Sequence, residues 1–123
     1  MRYLCLAFYD EQKFQSLTPS DLDAIRRRCE PYDAALRESG HLVLSACLQP
    51  ARASAVVRPR NGKPSITDGP FAETKEQVGG LFVIEARDLN EALLVASKHP
   101  AALMNEQLGW GIEVRAIDDY RHL

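Results

Sequence analysis

The sequence predicts an α+β domain built on one antiparallel sheet with two helices against one of its faces. Short apolar runs of strand length stand near the start, in the middle and near the end of the chain. Two segments of helical period, each with its own start and stop signals, lie between them. The 123 residues, 46% hydrophobic and 26% charged, suit one globular domain over 1–123. A chain of this size hides about two thirds of its unfolded surface on folding.

Arg2 to Tyr9 is rich in apolar and aromatic residues and gives way to Asp10-Glu11-Gln12-Lys13, the pattern of a short strand leaving a core. Thr18-Pro19-Ser20-Asp21 is a helix start, with a hydroxyl to accept a backbone N–H, proline where no N–H is needed, and acids at the positive end of the dipole. Leu22, Ile25, Cys29, Tyr32 and Leu36 share one face of that helix, and Gly40 stops it. Pro31 lacks an N–H and crowds the preceding turn, so a bend or break is expected between Arg27 and Pro31. His41 to Leu48 alternates as a second strand. Ala53 to Arg58 and Pro64 to Thr67 flank Asn61-Gly62, a pair suited to a hairpin turn. Gly79-Gly80 opens the apolar run Leu81 to Ala86, which reads as a central strand. Asp88 and Glu91 make a capping box for a second helix with Leu89, Ala92, Leu93 and Ala96 on its apolar face, ended by Pro100. Ala101 to Trp110 has room for a short helix, and Ile112 to Ile117 is the last strand.

Strand, helix, strand, inserted hairpin, strand, helix, strand is the split β-α-β order of a ferredoxin-like fold, β-α-β-β-α-β on an antiparallel sheet. Both helices then cover one face, and the other meets solvent or a partner. With Leu4, Leu6, Phe8, Leu42 and Leu44 turned toward the helices, Tyr3, Cys5, Ala7, Val43, Ser45 and Cys47 lie on the uncovered side, too apolar a set for water. A second copy of the chain is the expected cover, giving a homodimer, with a monomer covered by its own insertion as the alternative. Glu113 and Arg115 share one side of the last strand and are expected to line the space between two such sheets.

Charge and cysteine usage exclude several classes. A formal net charge of -2 leaves no excess positive charge for phosphates, so no direct nucleic-acid binding is expected. The run Arg26-Arg27-Arg28 is bracketed by acids and reads as a solvated helix face. Cys5, Cys29 and Cys47 are scattered, with no Cys-x-x-Cys pair and no histidine cluster, so reduced thiols and no metal are expected. The chain has no apolar segment long enough to span a bilayer and no cleavable leader pattern, which points to the cytoplasm. There is no phosphate-binding glycine loop and no nucleophile elbow, and no cofactor is expected.

The most distinctive stretch is Thr67 to Gly80, TDGPFAETKEQVGG. Asp68 can accept from backbone N–H groups two residues on, Gly69 allows a conformation closed to other residues, and Pro70 fixes its own φ. A stiff turn results, with Phe71 expected as a buried plug. Glu73, Lys75 and Glu76 concentrate charge beside it, either as a pocket with acid and base groups or as an ordinary solvated ion-pair cluster. This stretch resembles the signature of the DGPF branch of the YCII-related family, through Asp68-Gly69-Pro70-Phe71-Ala72-Glu73-Thr74-Lys75-Glu76 and Gly79-Gly80. Met1-Arg2-Tyr3-Leu4, Gly40 to Gln49, Asp88 to Ala96 and Glu113-Val114-Arg115 extend the similarity nearly end to end. The resemblance implies a small dimeric α/β-barrel protein from a largely uncharacterised family. Some members occur beside extracytoplasmic-function sigma factors, and some YCII relatives are enzymes or proposed enzymes. Certain relatives are thought to use a histidine on the first helix with an aspartate before the proline that ends the second. The matching residues here are Cys29 and His99, so that pair does not carry over.

Three readings follow. A homodimer binding a small molecule or a regulatory partner, such as one linked to a sigma factor, stands first. A metal-independent acid-base enzyme of isomerase, lyase or dehydrochlorinase type stands second, with Asp68, Glu113 and Arg115 as lead residues and Gly69, Pro70, Phe71, Glu73, Lys75, Glu76 and His99 as further pocket or loop candidates. A dimeric scaffold, in which the loop serves only assembly, stands third.

Overall fold

The computed structural model describes residues 1–121. In chain order its elements are β1 (Arg2–Asp10), α1 (Glu11–Gln15), α2 (Pro19–Glu38), β2 (Leu42–Cys47), a 3-10 turn (Ala51–Ala53), β3 (Ala55–Arg60), β4 (Lys63–Asp68), β5 (Glu76–Glu85), α3 (Leu89–Ala96), α4 (Pro100–Leu103), a second 3-10 turn (Glu106–Leu108) and β6 (Gly111–Ala116). Four strands form an antiparallel sheet in the order β2-β5-β1-β6, and β3-β4 is a separate hairpin. Without the hairpin and the short turns this is the expected ferredoxin-like arrangement. Among the described residues no helix is long and apolar enough to cross a membrane.

Local chemistry explains most boundaries. Thr18 and Asp21 exchange side-chain and backbone hydrogen bonds of 3.1 and 2.9 Å, a capping box that starts α2. The helix then runs through Pro31 without the expected break. Proline deprives the Arg27 carbonyl of its N–H partner, but both residues are exposed, so water can take the vacant position. Asn61 and Gly62 both have positive φ, 52° and 77°, the geometry of a tight hairpin turn. Pro100 begins α4 as much as it ends α3, with His99 Nδ1 accepting the Ala101 N–H at 3.0 Å as the cap.

The sheet's two faces are the reverse of the expectation for β1. Tyr3 and Cys5 lie in the core with Leu36, Phe82, Ile84, Ala86, Ala92, Val95 and Ala96. Burial pushes the Cys5 thiol up to about 12, which leaves it unreactive. Leu42 is on the core side as expected, but a register shift between Leu42 and Leu44 moves Leu44 to the other face. Two rows therefore cross the open face, Leu44-Val83-Leu4-Arg115 and Ala46-Leu81-Leu6-Glu113. On α3 the buried residues are Ala92, Val95 and Ala96, while Leu89 and Leu93 are about half exposed. The buried stripe is centred on Ala92, which leaves Leu89 and Leu93 on its flank.

Gly79 is the extra residue of a bulge in β5, between the pairs Ala7-Gly80 and Phe8-Val78. A Cβ there would lie 2.7 Å from Cδ1 of Tyr9, whose ring is buried and packed edge-on against Phe14 at 5.3 Å. Gly79→Ala is expected to cost about 1–3 kcal/mol by overpacking, seen as a lower denaturant midpoint at unchanged slope. An unshifted midpoint would show that the ring moves freely. His99 stacks on Phe82 with ring centroids 4.5 Å apart, and burial holds its pKa below the ordinary 6.5, against a smaller opposing pull from Asp33. The unfolded chain therefore binds the proton first, and stability should decline as pH falls from 6.5 through the lowered folded value. His99→Asn, still able to cap α4, should flatten that part of the stability profile.

Candidate functional site

One wall of a groove is built from the end of β1 and the start of α1. Asp10 is almost wholly buried, and its Oδ1 accepts the Gln12 and Lys13 backbone N–H groups at 3.1 and 3.3 Å, which caps α1. Its Oδ2 lies 3.8 Å from Lys75 Nζ, an ion pair too long for a hydrogen bond. Gly109, at φ 75°, lets the chain pass so close that a Cβ there would sit 3.0 Å from Asp10 Cβ. The Tyr9 hydroxyl donates to Glu11 Oε2 and accepts the Ala51 N–H at 3.0 Å. Glu11 Oε1 accepts from Arg52 Nη1 at 3.1 Å, so β1, α1 and the turn before β3 are tied in one circuit.

The charges in this circuit are consistent with the bonds. Burial acts to raise the Glu11 pKa, but hydrogen bonds from Tyr9, Arg52 and Gln15, with the Arg52 charge, outweigh it and hold the carboxyl below its ordinary 4.5. Burial, then the bond to Glu11, pushes the Tyr9 phenol above its ordinary 10.0.

The segment after β4 supplies the other wall. Gly69 has φ 96° and donates its N–H to the Ser54 carbonyl at 2.7 Å. Arg58 donates to the Phe71 carbonyl at 3.1 Å, and its guanidinium lies 3.8 Å from the Phe71 ring centroid. Gln77 Nε2 donates to the carbonyls of Ala72 and Thr74 at 2.8 and 3.0 Å, and the Glu11 N–H donates to the Lys75 carbonyl at 3.2 Å. Between the walls is a groove of about 600 Å³ lined by Glu11, Gln12, Gln15, Ala51, Arg52, Pro70, Glu73, Thr74, Lys75 and Gln77. A smaller hollow of about 340 Å³ near Met1, His41, Glu85 and Glu91 has its charges closed on one another, with the N-terminus and Arg2 on Glu85 at 2.6 and 3.0 Å and Arg87 on Glu91 at 2.6 Å.

The structure disperses the residues that the sequence singled out. Pro70, Glu73 and Lys75 line the groove, while Glu76 pairs with Asp10 in the sheet register and is exposed. Asp68 ends β4 opposite Ala55, and its exposed carboxylate makes none of the expected backbone hydrogen bonds among the described residues. Phe71 is 68% exposed, held by Arg58 instead of buried as a plug. Glu113 and Arg115 pair with each other at 2.5 Å on the open face, and no described hydrogen bond or ion pair joins them to Asp68. Cys29 Sγ faces Met104 Sδ at 3.9 Å, and His99 is spent on capping and stacking. His41 has the partner that its position at a strand start did not suggest, the Glu85 carbonyl at 2.8 Å from Nδ1. His122, also without an evident partner in the sequence, lies outside the described residues.

Tyr9, Asp10, Glu11 and Arg52 carry the groove, and none stood out in the sequence. Asp10 alone left a local signal, since Asp before Glu-Gln-Lys-Phe is a helix N-cap pattern. Arg52 meets the others only through the tertiary fold.

Two comparisons bear on identity. The family model of the YCII-related domain matches residues 1–116. A protein of Rhizobium meliloti (strain 1021), named uncharacterized protein R00369, is 34% identical over 93 residues, covering 76% of this chain and 75% of that one. With the ferredoxin-like sheet and the loop after β4 in place, the chain belongs to the YCII-related family.

Proposed function

We propose that this protein is a homodimer that binds a small polar molecule in the groove between α1 and the segment after β4. The groove's fixed walls carry the reading. Arg52 is anchored through Glu11 and Tyr9, and the facing segment is pinned by Gln77 and Arg58. Walls already held by hydrogen bonds spare a ligand the entropy of ordering them, which separates a binding site from a patch of loose surface charge. Eight of its ten lining residues have polar or charged side chains, so hydrogen bonds and charge can set which molecule it takes.

The open sheet face supports the dimer. Leu4, Leu6, Leu44, Ala46, Leu81 and Val83 form two adjoining rows across three strands, with Leu44 43% exposed, and only the β6 edge carries the Glu113-Arg115 pair. Apolar rows on a face without helices are the kind of surface that a second copy buries about a twofold axis.

Leu44→Glu would put an unpaired charge in that contact, a cost of several kcal/mol. Sedimentation should show two chains for the native protein and one for the variant, with unchanged far-ultraviolet dichroism. A native protein sedimenting as one chain would refute the dimer. For the groove, a fragment library of mixed charge titrated into nitrogen-15-labelled protein should give saturable shifts at the amides of Ala51, Thr74 and Gln77. If no fragment of any charge moves them, the binding reading fails.

A further inference from the structure

We infer, resting on the binding reading above, that the groove takes a zwitterionic ligand of the amino-acid class, carboxylate against Arg52 and ammonium against Glu73. Arg52 uses Nη1 for Glu11, while its Nε and Nη2 have no partner among the described residues. A guanidinium with that edge open and its other nitrogen fixed presents two parallel donors to a carboxylate, the geometry in which arginine differs from lysine. Arg52 is half exposed but anchored. Its carboxylate partner is 15% exposed and is itself held by the Tyr9 hydroxyl.

Charge in the groove selects the second pole. Glu11 and Arg52 pair, and Lys75 faces the buried Asp10 carboxylate at 3.8 Å. Glu73 lines the groove from the loop side and makes no hydrogen bond or ion pair among the described residues. The charged residues that line the groove, Glu11 and Glu73 against Arg52 and Lys75, balance in formal charge. A plain carboxylate would leave Glu73 unmatched, and a plain amine would leave the Arg52 edge unmatched. A molecule bearing both groups satisfies Arg52 and Glu73 without adding net charge.

Glycine, β-alanine and 4-aminobutyrate, which differ in the distance between their charged groups, can be titrated against butyrate, n-butylamine and butyramide by the same amide shifts. One zwitterion of the series is expected to bind more tightly than butyrate, n-butylamine and butyramide. Arg52→Gln should weaken it about tenfold, and Glu73→Gln by a similar factor. Arg52→Lys, which keeps the charge without the two-donor edge, should restore only part of the loss. Butyrate, butylamine or butyramide binding as tightly as the best zwitterion would overturn the ligand class and leave groove binding intact. Zwitterion affinity unchanged in Arg52→Gln and Glu73→Gln, with dispersed spectra showing folded protein, would do the same. Failure of every fragment to shift the amides would remove both readings together.

Discussion

The Tyr9 side chain is the constraint on which this end of the molecule depends. Its ring fills the space that Gly79 leaves by having no side chain, packs edge-on against Phe14 of α1, and carries a hydroxyl that meets both Ala51 and Glu11. The bulge in β5 and the placement of α1 and of the turn before β3 all refer to one aromatic residue. Arg52 is fixed at two removes, through Glu11 to Tyr9 and through the adjacent Ala51 backbone to the same hydroxyl. A groove wall made of side chains is thereby tied to the sheet end it grows from.

The element order could be read from periodicity and capping alone, but the choice of face could not, and the reason is physical. On β1 the set Tyr3, Cys5 and Tyr9 and the set Leu4, Leu6 and Phe8 are both apolar, so alternation establishes two faces without saying which one meets the helices. β5 repeats the ambiguity with Phe82 and Ile84 on one side and Leu81 and Val83 on the other. Such a strand is what a sheet buried on both sides requires. The parity error and the argument for a covered second face thus share one cause. The shift between Leu42 and Leu44 adds a second difficulty, since a bulge moves every later residue of β2 to the opposite side and leaves no mark in composition.

The candidate site was less visible because its parts are brought together by the fold. The segment Asp68 to Glu76 announces itself through its Gly-Pro turn and crowded charges, whereas Glu11 and Arg52 are ordinary surface residues until β1 and the turn before β3 come side by side. Residue chemistry also misled for Phe71. An aromatic after a stiff turn suggested burial, yet Arg58 sits over its ring and bonds its carbonyl, so it is held from outside by a cation. An exposed pairing of this kind contributes about 0.5–1 kcal/mol, enough to bias a loop that Gly69 and Pro70 have already restricted.

That geometry changes what the Asp68-Gly69-Pro70-Phe71 turn is for. Gly69 needs its positive φ to leave β4 and bring its N–H to Ser54, Pro70 itself lines the groove, and Phe71 clamps the segment to the hairpin through Arg58. Each role is conformational, and together they deliver Glu73, Thr74 and Lys75 opposite Glu11 and Arg52. The charged chemistry lies downstream of the turn, and the turn's distinctive residues aim it. A rigid aiming loop and a hydrogen-bonded facing wall make sense together, because fixing one side of a binding groove gains little if the other remains free.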